Sequence, residues 1–405
     1  MLRENWLPLP TILTALVLAA YSHPAELLGA DLAPDAQSLN AQTRGSVIPV
    51  KGYRVEVAPF AVSGGRVLDM NDSRQLTYFV VRGGNDGFWY DGQTVSNLDP
   101  GIGREGIGLA INNAARVAGT VYGGGAGTRP QAAIWDDGVL QVLGQFGGTG
   151  AEAGAVNETG LIAGWFELSR SAAERRLFTW HGGQFVDWGP MPSVRGTVRS
   201  MNDAGEVVGH ADGSLLQGWS WRDGEFTTLP DLAGGDDTAP ADINASGVVV
   251  GGSYIDQAEI RAVKWIDSVV EKLPHPADAL ASDALSINDA GLIVGSIQTP
   301  EGNRSTAMIW EDDRFYDLET LVPDLGGWRL NVAREINNDG AILVDGISPT
   351  NTFGQVFLIP IPEPSAAVLM AAAMGLALSQ RRCGWSASAQ CKQTYCGDLV
   401  SRHSR

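Results

Sequence analysis

The chain has 405 residues, with 51 Gly, 12 Trp, only 18% charged residues and a formal net charge of −18. An acidic balance of that size repels phosphate backbones and excludes nucleic acid as a natural partner. The three cysteines, Cys383, Cys391 and Cys396, all lie beyond residue 382, and the five histidines show no HxH or HExxH spacing. The body of the chain can therefore carry neither a disulfide framework nor a CxxC or histidine-motif metal site.

At the N-terminus, Arg3 precedes an apolar stretch over residues 7–20, and the small residues Ala20 and Ser22 follow. That order predicts a secretory signal peptide over residues 1–22. Pro8 and Pro10 would fall in the first turns of a buried helix, which disfavours the alternative. Residues 23–50 are polar, contain Ala and Pro without period, and read as a linker.

From about residue 60 to residue 360 one pattern recurs seven times. An apolar residue precedes an Asn, usually with Gly three residues on. A Val/Ile/Ala-rich run ending in Gly comes next, and a large apolar anchor stands about twenty residues after the Asn. The asparagines are Asn71, Asn112, Asn157, Asn202, Asn244, Asn288 and Asn337; the anchors are Trp89, Trp135, Trp180, Trp221, Trp265, Trp310 and Phe357. A period in the forties built from short apolar runs is that of a four-stranded propeller blade. In the sixth copy, strands are predicted over residues 283–288, 292–297, 306–310 and 314–318, with Asn-Asp-Ala-Gly and Glu-Asp-Asp turns between pairs. The innermost strands are rich in small residues, as in Gly-Leu-Ala-Ile-Asn112, which suits a crowded axis. After Phe357 no fourth strand remains for the last copy, while residues 53–59 form a spare strand upstream. Residues 51–361 are therefore predicted to be an all-β, seven-bladed β-propeller of four-stranded antiparallel blades, closed by an N-terminal strand that covers an otherwise open sheet edge.

The segments Ile287-Asn-Asp-Ala-Gly-Leu-Ile-Val-Gly295, Met201-Asn-Asp-Ala-Gly-Glu-Val-Val-Gly209 and Leu232-Ala-Gly-Gly235 resemble the HAF-repeat family of bacterial extracellular proteins. The His-Ala-Phe triplet is replaced here by Gln131-Ala132-Ala133, Arg261-Ala262-Val263 and Ser305-Thr306-Ala307. The resemblance implies an extracellular location and a repeat architecture, but no reaction.

Within the repeats, each Asn and its Gly are expected to make a turn, with the neighbouring acids Asp72, Glu158, Asp203 and Asp289 solvated. The tryptophans are expected to pack blade against blade. A ligand is expected on the face bearing the loops between second and third strands and the blade-to-blade connections. There Asp231, Asp236, Asp237 and Asp242 form a carboxylate cluster, a candidate calcium site without EF-hand spacing, against the plain alternative of a solvated acidic loop. The sequence shows no nucleophile elbow, catalytic histidine motif or phosphate loop. Two functions compete: a binding or matrix-structural module for exopolysaccharide or the cell envelope, and a polysaccharide lyase or hydrolase with carboxylates converging at the axis.

At the C-terminus, Ile361-Pro362-Glu363-Pro364-Ser365 precedes a wholly apolar run over residues 366–378, followed by Arg381-Arg382. As a helix that run measures about 20 Å, short of the roughly 30 Å hydrocarbon core. The arginine pair would stay on the cytoplasmic side. Pro362, Glu363, Pro364, the short apolar helix and Arg381-Arg382 resemble the PEP-CTERM sorting signal of Gram-negative bacteria over residues 362–382. The resemblance implies transient inner-membrane anchoring, cutting by an exosortase-type protease near the Pro-Glu-Pro motif, and release to the cell surface or extracellular matrix. The rival reading is a single-pass tail anchor. The polar tail, residues 383–405, has no derived role.

Overall fold

Short apolar runs separated by Asn-, Asp- and Gly-bearing turns form seven four-stranded antiparallel sheets in a computed structural model of the chain. It describes residues 52–361 apart from 61–64, 82–84, 100, 102–104, 124–128, 170–173, 193–194, 212–215, 233–236, 256–258 and 301–303. The signal peptide, the linker, the sorting motif with Pro362, Glu363, Pro364, Arg381 and Arg382, and the polar tail lie outside the described residues. Among the described residues no helix is long and apolar enough to cross a membrane.

Each of the first six sheets takes its strands in chain order, as in blade 6 with Ala281–Ile287, Ile293–Thr299, Arg304–Glu311 and Arg314–Asp317. Blade 7 contributes Arg329–Ile336, Ile342–Ile347 and Phe353–Pro360, and its outer strand is the N-terminal Tyr53–Val57, paired from Tyr53 opposite Pro360 to Val57 opposite Val356. Tyr53 is fully buried in the core shared by blades 6 and 7. The first strands of successive sheets touch one another in an unbroken circuit that includes the first and seventh, so these strands surround the axis. This is the predicted seven-bladed propeller.

Every polar group of the repeat asparagine is used. Its amide donates to the carbonyl four residues on, its carbonyl accepts from the amide three residues on, and its Oδ1 accepts the amide four residues on at 2.8–3.0 Å. Its Nδ2 is left over, and it crosses to the carbonyl of the next blade's asparagine at 3.0–3.3 Å. The series runs Asn71 to Asn112, Asn157, Asn202, Asn244, Asn288, Asn337 and back to Asn71. The turn needs positive φ three residues after the Asn, and Gly160, Gly205, Gly247, Gly291 and Gly340 supply it at φ 76–82°. Arg74 and Ala115 adopt the same conformation at φ 61° and 60° without glycine's freedom.

All seven first strands also break register at one repeat position, three residues before the Asn: Leu68, Leu109, Gly154, Arg199, Ala241, Leu285 and Arg334 are each skipped in the pairing with the second strand. A bulge of this kind bends the strand and re-aims side chains.

The anchors depart from the sequence reading in two blades. Trp135, Trp180, Trp221, Trp265 and Trp310 each stand opposite a Val or Ile five residues after the repeat Asn. In blade 1 that place belongs to Tyr90, opposite Leu76, and in blade 7 to Leu358, opposite Ile342. Trp89 and Phe357 sit one residue off and face the other side of their sheets, because side chains alternate along a strand. Two of the aligned tryptophans also pin the preceding blade connection, with Nε1 of Trp265 donating to Pro230 O at 2.8 Å and that of Trp310 to Pro274 O at 2.7 Å.

Deleting residues 52–60 removes the outer strand of blade 7, and the protein is expected to associate or melt lower, because an unpaired edge is exposed; a monomer with unchanged melting temperature would contradict the closure. Asn288→Ala orphans the Leu292 amide and removes the cross-blade bond to the Asn337 carbonyl, which keeps the Gly340 amide, and is expected to cost about 1–3 kcal/mol. Ala115→Gly, which relieves left-handed strain, is expected to gain about 1 kcal/mol. Denaturant unfolding of the two variants checks both signs.

Candidate functional site: the axial channel

On the face of the asparagine turns the ring surrounds an open bowl. Its rim is the residue after each Asn: Asp72, Asn113, Glu158, Asp203, Ala245, Asp289 and Asn338. These side chains are tied across blades, since Asn113, Glu158, Asp203, Asp289, Asn338 and Asp72 each accept the backbone amide of the preceding blade's rim residue at 2.8–3.1 Å. Blade 5 breaks the series, because Ala245 has no acceptor. Burial, joined by the carboxylates of Asp203 and Asp72 against a hydrogen bond from Asn113, pushes the Glu158 carboxyl up. The residue before each Asn (Met70, Ile111, Val156, Met201, Ile243, Ile287 and Ile336) makes an apolar floor.

Behind the floor the channel is charged. Asp69 accepts the amides of Met70 at 2.8 Å and, from blade 2, of Ile111 at 2.7 Å. Asp242 takes four donors: Ser200 Oγ at 2.7 Å, the Ile243 amide at 2.8 Å, the Ile287 amide at 3.0 Å and Ser286 Oγ at 3.1 Å. It thereby joins blades 4, 5 and 6. Glu335 also hydrogen-bonds the Ser286 side chain, so two carboxyls from blades 5 and 7 meet at one hydroxyl.

Three arginines enter the same space, Arg66 from blade 1, Arg199 from blade 4 and Arg334 from blade 7. Arg334 is paired with Asp345 at 2.6 Å. Arg199 feels Glu335, Glu152, Asp283 and Asp242, which come from blades 7, 3, 6 and 5, and only a side chain on the axis can face all of them. Burial dominates the acid–base behaviour. It pushes Asp69 up to about 7, with Asp242 and Glu158 adding to it, and Asp283 up to about 6 against three opposing arginines. It also raises Glu335 well above the carboxylate range, raises Asp242 and Glu152, and lowers Arg66 to about 9.

Several sequence expectations change here. The acids beside the repeat asparagines are cross-blade acceptors as well as solvated groups. The axis is not lined by small residues alone: Arg66, Asp69, Glu152, Arg199, Asp242, Asp283 and Glu335 enter it beside them. Of the candidate calcium ligands, Asp231 is exposed in the connection to blade 5, Asp237 opens that blade's first strand, and Asp236 lies outside the described residues. Asp242 stands five strand positions beyond Asp237, about 16 Å away, in the channel, and so does not join them. Among the described residues no group of three or more His, Cys, Asp or Glu is arranged to hold a metal ion. The bowl also opens on the asparagine-turn face, whereas the sequence pointed to the opposite one. Arg66, Arg199, Asp69, Asp283 and Glu335 went unnoticed, although charged residues two, three or five positions before the repeat Asn interrupt otherwise apolar strands.

No protein-family model matches the chain, and neither does any curated protein sequence. Among solved structures it is similar to TolB from Acinetobacter baumannii, at 18% identity and TM-score 0.38, over 63% of each chain. The β-propeller domain of the Trilobed protease from Pyrococcus furiosus aligns at 8% identity and TM-score 0.47, over 76% of this chain and 95% of that one. A prolyl endopeptidase aligns at 11% identity and TM-score 0.48, over 78% of this chain and 51% of that one. The chain thus spans less than two thirds of the TolB structure and about half of the endopeptidase. These likenesses assign no activity; the propeller rests on the chain's own sheet topology.

The channel carboxyls make stability depend on pH with a definite sign. Asp69 has its folded value raised from 3.8 to about 7, so its protonation stabilises the fold fully below pH 4, and that contribution is lost as the pH rises to about 7. His210, which burial pushes down to about 4, works the other way below its unfolded value of 6.5. The Asp69→Asn variant isolates the carboxyl. Relative to wild type it is expected to gain stability between pH 5 and pH 8 in urea unfolding; a pH-independent difference would contradict the assignment.

Proposed function

We propose that this chain is an exported, surface-sorted propeller that serves as a binding or matrix-structural module for extracellular polysaccharide. The observation that carries the reading is the bowl. Its rim offers carboxylate and amide groups to sugar hydroxyls, its floor of Met, Ile and Val meets the C–H faces of a sugar ring, and both are held in place by bonds between blades. Pre-organisation of this kind lowers the ordering cost of binding. The second carboxylate oxygens of Asp203 and Asp289 make no hydrogen bond with the described residues and remain for a ligand. The HAF-like repeats and the PEP-CTERM-like end support export, exosortase-type processing and release at the cell surface.

The meeting of Asp242 and Glu335 at Ser286 favours the second reading, a polysaccharide lyase or hydrolase. Asp242, however, has both oxygens filled by structural donors, which leaves Glu335 and Asp283 to carry any acid–base step.

Purified protein is expected to be retained on immobilised neutral polysaccharide without releasing reducing ends or unsaturated products, and Asp203→Ala with Asp289→Ala is expected to weaken retention about tenfold. Product release would move the reading to the enzyme. Mass spectrometry of the surface fraction is expected to find a C-terminus near Pro364; peptides containing Cys391 or Cys396 there would contradict processing.

A further inference from the structure

Arg66 and Arg199, both half-buried in the channel, stand apart from the other enclosed cations of the molecule. Arg175 lies over the Trp165 ring and donates to the Gly196 carbonyl, Arg261 donates to the Ala279 and Leu280 carbonyls, and Arg334 is paired with Asp345. Arg66 and Arg199 make neither a hydrogen bond nor an ion pair with any described residue, and Nε of Arg66 is fully buried without a partner. Both side chains keep part of their surface open to the channel, so apart from the buried Arg66 Nε their N–H donors are within reach of a ligand there.

The surrounding acids do not answer these donors, because most are engaged elsewhere. Asp345 is held by Arg334 and by Gln355 Nε2 at 3.1 Å. Asp242 is filled by its four donors. Glu152 is fixed by Trp165 Nε1 at 2.9 Å. Glu335 rests on the Ser286 side chain. Asp283 faces all three channel arginines and Glu335 faces Arg66 and Arg199, and neither carboxyl forms an ion pair with them. Two planar forks, each able to grip a carboxylate through paired N–H bonds, thus project into the axis from blades 1 and 4.

We infer that Arg66 and Arg199 form an anion subsite in the channel, behind the bowl, which takes the carboxylate of a uronic-acid residue. The sugar part of this assignment rests on the polysaccharide-binding reading, whereas the carboxylate part rests on the arginines. Arg334 stays bound to Asp345 and adds field without contact. Asp283 is the internal competitor, since its carboxylate occupies part of the same positive potential.

Titration calorimetry of the full chain with D-glucuronate, D-glucose and acetate tests the subsite. Glucuronate is expected to bind and glucose not. Arg66→Gln and Arg199→Gln are each expected to weaken glucuronate about tenfold or more, as loss of a charge-assisted pair does. Asp283→Asn, which removes the competitor with little change in shape, is expected to tighten it several-fold, a gain that a damaged fold cannot produce. Acetate binding as tightly as glucuronate would keep the anion subsite and remove the sugar from it. No glucuronate binding by wild type, or affinities unchanged in all three variants, would overturn the inference. Retention of the same variants on neutral polysaccharide reads the bowl separately, so failure of the subsite and failure of the binding module give different results.

Discussion

The seven repeats are held as one body by a single amide group. Once a tight turn has consumed the backbone groups and Oδ1 of the repeat asparagine, only Nδ2 remains, and it points to the next blade's carbonyl. Aspartate could make the turn but has no donor to send across, and glutamine would place its amide one carbon too far out. The constraint therefore selects one residue type at seven positions, Asn71 through Asn337. A buried hydrogen bond of this kind is worth about 1 kcal/mol net. The larger effect is topological, because the bond from Asn337 to Asn71 joins residues 266 apart and makes the series a ring.

A second tier lies just inside. The bulge three residues before each Asn lets the following side chain reach a backbone amide on the neighbouring blade, as Asp69 does to Ile111, Asp242 to Ile287 and Ser286 to Ile336. Where that residue is Ala110 or Ala155 no such strut is available. Closure at the axis thus calls for small polar or acidic residues in a desolvated space, which raises their proton affinity and draws compensating arginines inward. The bowl and the charged channel are consequences of how the ring is sealed, and both sites proposed above use groups that sealing leaves over: second carboxylate oxygens at the rim, and two guanidinium forks within.

Much of this was readable in the chain, because turn chemistry is local. Asn with Gly three residues later marks a left-handed turn wherever it occurs, so blade number, blade boundaries and the borrowed strand, read over residues 53–59 and formed over 53–57, followed from spacing and from a missing partner. What failed depends on contacts between copies. Trp89 and Phe357 look like repeat anchors in composition, but alternation puts Tyr90 and Leu358 on that side, and a shift of one residue cannot be heard in an apolar run. Asp231, Asp237 and Asp242 are neighbours in the chain, yet an extended strand separates the last by most of its length. The rim acids looked solvated because the amides they accept belong to the preceding blade, 44 or 45 residues back for Glu158, Asp203 and Asp289 and 266 residues away for Asp72.

Native-state hydrogen exchange at the seven amides bound by asparagine Oδ1, those of Gln75, Arg116, Leu161, Glu206, Val248, Leu292 and Ala341, tests the ring most directly. If the asparagines weld the blades into one cooperative unit, all seven exchange with a common free energy close to that of global unfolding. A gradient in which Gln75 and Ala341 exchange far faster than Glu206 would show an open array of independent blades and contradict the ring.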